Sequence, residues 1–108
     1  MATDNDLLSR VKTILVDEPY IEKEGYGGTV FQIGNHLVCG VKDEYFLVQI
    51  GEDRFDEFLT HPLARPLEVD GKPINGWVEI LPTGTRRDVD LTGWVNNGLE
   101  YMKTNQSN

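Results

Sequence analysis

Arg65 is the side chain of this 108-residue chain with the most chemistry to offer. It stands between Ala64 and Pro66, with Pro62 and Pro73 nearby, so the backbone around it is stiff. A positioned guanidinium presents a planar fork of donors that can clamp a carboxylate on a ligand or partner. The competing reading is an internal salt bridge pinning the surrounding loop to the second helix. That reading carries more weight, because a half-buried Arg is usually paired. Gly84-Thr85-Arg86-Arg87 precedes a helix and brings two cations, which makes it the better anion candidate among the glycine loops. A solvated loop before the Asp88 cap explains it more simply. Gly25-Tyr26-Gly27-Gly28 leads into a strand with no Gly-Lys-Ser/Thr behind it, so it fits neither the Walker nor the Rossmann phosphate cradle. Gly27 and Gly28 mark a turn, or a close approach that excludes side chains. Trp77, following Gly76, divides between core anchor and interface anchor, with the core favoured.

The remaining reactive groups fall into no constellation. Cys39 lies mid-strand between Val38 and Gly40, where a free cysteine behaves as a small apolar residue. Ser9 and Ser107 lack a nucleophile-elbow context, so no catalytic triad is expected. His36 and His61 have no second ligand at helical or hairpin spacing, so neither metal nor cofactor is expected. Glu52, Asp53, Asp56 and Glu57 gather around a helix start, where negative charge suits the dipole.

Eighteen acids against ten bases give a formal charge of −8. Direct nucleic-acid binding is disfavoured, since phosphate contacts need Lys and Arg to displace counterions. No apolar run approaches the ~20 residues a membrane span needs. One cysteine excludes an internal disulfide, and the Met-Ala-Thr-Asp start shows no signal-peptide pattern, so a reducing cytoplasmic location is expected.

The elements that must position these residues follow from periodicity. Asp4-Asn5-Asp6 caps a first helix whose stripe is Leu7, Leu8, Val11, Ile14 and Leu15, ending near Val16 ahead of Pro19. Tyr20–Lys23 is a brief extended segment. Thr29–Ile33, Leu37–Val41 and Tyr45–Ile50 are β-branched and aromatic runs with hairpin-length connectors, which predicts an antiparallel meander. A two-residue turn at Asp43-Glu44 would place Leu37, Cys39 and Val41 on one face with Phe46, Val48 and Ile50. A second helix starts at Glu52-Asp53 and carries Phe55, Phe58 and Leu59. The stretch Leu63–Gly76, rich in Pro and Gly, reads as a long loop, and Trp77–Leu81 as a further strand. The last helix begins at Asp88 and presents Leu91, Trp94, Val95, Leu99 and Met102, with Gly98 in the same stripe. Residues 104–108 read as a frayed tail. The sum is an α+β fold: an antiparallel β-meander sheet with three helices packed mainly on one face, one domain over 1–108 with an ordered core of about 5–103.

One pattern points to a family. Gly27-Gly28, Gly40-Val41, Leu59-x-x-Pro62-x-Ala64-Arg65-Pro66, Gly71-x-Pro73-x-x-Gly76-Trp77-Val78 and Pro82-x-Gly84 together resemble the TfoX/Sxy N-terminal domain family, from about Asp6 to about Met102. The family's Met-Phe-Gly-Gly after a basic residue is replaced by Glu24 and Gly25-Tyr26-Gly27-Gly28. The resemblance implies a small α+β domain. Full-length members regulate natural competence in bacteria, are understood to work with the cyclic-AMP receptor protein at promoters, and carry a helical C-terminal domain. This chain is expected to be a stand-alone copy without it. No catalytic residues come with the family. The expected function is therefore a non-enzymatic regulatory module that binds a protein partner through the Arg65–Trp77 loop and an open sheet edge, which also leaves a homodimer open. The alternative is a binder of small anionic ligands using Arg65 with Arg86 and Arg87.

Overall fold

A computed structural model of the chain describes residues 5–105. Six antiparallel strands form one sheet in the order β1-β2-β3-β4-β6-β5. The strands are β1 (Tyr20–Gly25), β2 (Gly28–Ile33), β3 (His36–Lys42), β4 (Tyr45–Gln49), β5 (Ala64–Val69) and β6 (Lys72–Ile80). The helices are α1 (Asn5–Ile14), α2 (Glu52–Leu59) and α3 (Asp88–Asn105). Thr104, expected in a frayed tail, is helical, and residues 106–108 and the Asp4 cap lie outside the described residues.

The main core lies between the sheet and the helices. Leu7 and Val11 from α1, Leu15 just after it, Phe58 from α2, and Leu91, Val95, Leu99 and Met102 from α3 meet Phe31, Cys39, Val41, Phe46, Val48, Val78 and Ile80. Alternation along each strand puts these residues on one face. Gly98 lets α3 press on the sheet: a Cβ there would lie 2.8 Å from the Val38 carbonyl oxygen.

The register at the third turn is the expected one, with Cys39 opposite Val48 and Val41 opposite Phe46. Leu37 departs from expectation. A register shift between Phe31 and Gln32 adds a residue to β3, so Val38 turns into the main core and Leu37 joins the opposite face.

The stretch expected to be a long loop is a hairpin. Asp70 and Gly71 both have positive φ, 54° and 79°, and form the tight turn between β5 and β6. Pro66 fits because β5 is an outer strand, where a missing N–H breaks no ladder bond. Trp77 therefore begins the part of β6 that pairs with β4, in a strand that starts at Lys72.

Candidate functional site

A second, smaller cluster occupies the other face of the sheet: Leu47, Leu67 and Trp77, with Tyr26, Leu37 and Ile74 against them. Among the described residues, no helix contributes to it. Tyr26 belongs to the β1–β2 turn and Trp77 to β6, with β3 and β4 between β2 and β6. A flat sheet would separate β2 from β6 by three spacings, about 14 Å. The two rings nevertheless meet edge to face at 5.0 Å. The sheet is curled, with this face on the inside.

Beside the cluster lies a charged array built from three strands. Glu79 of β6 is only 4% exposed, although it interrupts an apolar run. Its Oε2 accepts a hydrogen bond from Arg65 Nε at 2.6 Å and is also paired with Nη2 of the same guanidinium. Its Oε1 lies 3.5 Å from Lys42 Nζ. The Arg65 guanidinium also stands over the Tyr45 ring, 4.8 Å from its centroid. Hydrogen bonding to the Glu79 carboxylate raises the pKa of Arg65 above its ordinary value. A carboxylate out of water is costly unless paired and hydrogen-bonded, and here both oxygens are engaged. Lys42, Arg65, Pro66, Glu68, Gly71 and Glu79 line a cleft of about 420 Å³. Half of the Arg65 side chain faces solvent.

Arg65 is thus strand-borne and internally paired, but its partner is Glu79 on the adjacent strand and not the second helix. Trp77 is buried, as an anchor of the inner face. Gly27 is at φ 85° in the β1–β2 turn, and a Cβ on it would meet the Lys42 side chain at 3.0 Å. A Cβ on Gly28 would lie 2.0 Å from the Val41 carbonyl oxygen, so the close approach there is made by the chain's own backbone. Gly27, Gly28, Arg65 and Trp77 are therefore gathered on or beside one curled face.

Arg86 and Arg87 are not. They lead into α3 on the helix side of the sheet, where Arg87 Nε pairs with Asp90 at 3.1 Å. The Arg86 carbonyl oxygen accepts from Arg10, whose Nε also holds Asp88 at 2.9 Å. These contacts tie α1 to the head of α3, and the cleft at Arg65 includes neither arginine. The three-arginine anion site of the alternative reading is not assembled.

Lys42, Tyr45 and Glu79 escaped sequence reasoning. The signal was present at Glu79: a lone acid inside Trp77–Leu81 sits at the strand position that must turn away from the helices. The other reactive residues have structural surroundings. Cys39 is buried, and desolvation pushes its thiol well above the usual range. His61 Nδ1 accepts a hydrogen bond from the Leu63 amide at 3.1 Å, and its ring meets Trp94 edge to face. Among the described residues, no group of three or more His, Cys, Asp or Glu side chains could hold a metal ion. No helix among them is long and apolar enough to cross a membrane.

Compared with protein-family models, curated proteins and solved structures, the chain matches none, so the TfoX/Sxy resemblance rests on the residue spacings alone.

Proposed function

We propose that this chain is a non-enzymatic protein-interaction module of the regulatory kind that the TfoX/Sxy N-terminal domain resemblance implies. Its recognition surface is the curled sheet face carrying Lys42, Tyr45, Arg65 and Glu79. One observation carries this reading: Arg65 is half exposed, yet held by a buried carboxylate and an aromatic ring. A guanidinium fixed in this way loses little freedom on meeting a partner. A flexible surface arginine would gain nothing from a buried counterion beneath it.

The test is cross-linking of the tagged chain in cells, compared with Arg65→Lys. Lysine keeps the charge but lacks the fork, so a specific partner should be lost while the fold is kept. Capture that is equal with both chains, or absent from both, defeats the reading. The cleft beside Arg65 favours a second reading, a small organic anion held by Lys42 and Arg65. A thermal-shift screen of carboxylates and phosphates checks it, because a ligand of the folded state raises the melting midpoint.

A further inference from the structure

The sheet has two edges, and the chain treats them differently. On β5, Pro66 removes a backbone donor and the ladder shifts register between Pro66 and Glu68. Both features obstruct an added strand. The opposite edge has neither. Strand β1 pairs with β2 without interruption, from Tyr20 opposite Ile33 to Gly25 opposite Gly28.

The turn fixes which backbone groups of β1 point outward. Tyr26 and Gly27, at φ 54° and 85°, form a two-residue turn, so the flanking Gly25 and Gly28 exchange hydrogen bonds. Bonding alternates along the strand, so Lys23 and Ile21 also bond to β2. Tyr20, Glu22 and Glu24 then direct their N–H and C=O groups away from the sheet. The Tyr20 N–H is taken by the Glu18 carbonyl at 2.9 Å, which agrees with this parity. No described strand lies beyond Glu22 and Glu24.

Side chains follow the same alternation. Glu22 is on the helix side, 3.2 Å from Lys12 Nζ, and Glu24 shares that side. Ile21, 52% exposed, and Lys23 share the other. A second copy pairing antiparallel with β1 meets like charges in the symmetric registers centred on or between its outward acids: centring on Glu22 sets Glu22 against itself, and centring on Lys23 sets Glu22 against Glu24. Centring on Ile21 would pair Tyr20 with Glu22, but the Tyr20 N–H is already taken by the Glu18 carbonyl. Like charges directly opposite destabilise a pair.

We propose that β1 accepts an extended basic segment of another protein as a seventh, antiparallel strand. This goes beyond the Arg65 face and uses a separate surface. Opposite Glu24, Lys23, Glu22 and Ile21, the incoming strand reads basic, polar, basic, apolar from its N-terminus. Backbone hydrogen bonds to Glu22 and Glu24 supply attachment, and the side chains supply selection. Glu22 is shared with Lys12, so Glu24 carries the larger part of the charge selection.

The probe is a labelled peptide, Thr-Lys-Thr-Lys-Val-Thr, followed by fluorescence anisotropy at low salt against the full chain. Its counterpart is Thr-Glu-Thr-Glu-Val-Thr. The lysine peptide should bind and the glutamate peptide should not. Glu24→Pro removes an outward donor and a charge while leaving the β1–β2 bonds intact, and should weaken binding roughly tenfold, one ladder bond and one cross-strand ion pair together. Should that variant fail to fold, the pair Glu22→Lys and Glu24→Lys decides, because it should exchange the preference to the glutamate peptide. Arg65→Lys should leave binding unchanged. No binding of the lysine peptide, a preference that survives charge reversal, loss with Arg65→Lys, or a self-association through β1 that Glu24→Pro dissolves would each overturn the proposal.

Discussion

Removing either partner of the Arg65–Glu79 pair should destabilise the chain, but by different amounts, because the two groups differ in burial. Arg65→Met leaves the Glu79 carboxylate, 4% exposed, with Lys42 at 3.5 Å as its remaining neighbour. A buried charge stripped of its main partner costs about 3–5 kcal/mol, and the residual Lys42 contact reduces this to roughly 2–4 kcal/mol. Glu79→Gln leaves two cations that can turn toward water, Arg65 with half of its side chain already there. The amide oxygen still accepts a hydrogen bond, so the cost should be about 1–2 kcal/mol. The apolar pair Arg65→Met with Glu79→Leu should recover most of the loss, since no charge remains to be solvated. Urea unfolding at neutral pH, followed by circular dichroism, reads all three as midpoints at constant slope. An equal or reversed order of the two single variants would refute the picture of a buried acid held by a half-exposed base.

Other expectations are independent of that array. Gly98→Ala should cost about 1–3 kcal/mol by forcing a methyl group against the Val38 carbonyl, whereas Gly93→Ala on the same helix meets open space and should stabilise by roughly 0.5–1 kcal/mol in the same urea assay. Arg10→Ala should lower stability by about 1–3 kcal/mol, since a partly buried guanidinium bridges α1 to Thr85, Arg86 and Asp88. Cys39 should resist a disulfide-exchange reagent in the folded protein at mildly alkaline pH and react at once in urea, because burial raises its thiol pKa and blocks access.

The helices and the meander were legible because their signals are local. The stripe from Leu91 to Met102 shows its period within a few turns, and hairpin-length connectors join the strands from Thr29 to Ile50. The β5–β6 hairpin was missed because Pro66, Gly71, Pro73 and Gly76 read as breakers. Asp70-Gly71 is a strong turn signal, but recognising it requires Pro66 to be placed on an outer strand, which is a property of strand order. The same holds for Leu37, displaced by one added residue in β3.

The candidate site shows where local information stops. Arg65 stood out from its own neighbours in sequence, but Lys42 and Glu79 reach it only because β3, β4, β6 and β5 lie side by side. Arg86 and Arg87, joined to Arg65 only in the alternative reading, lie on the helix side, where they lead into α3. By itself the sequence determined the three helices, their apolar stripes and the strands of the meander, since those preferences act over a few residues. Only the tertiary structure decided which charges share a face and which edge stays open, because strand order and curl are set by the packing of the whole sheet.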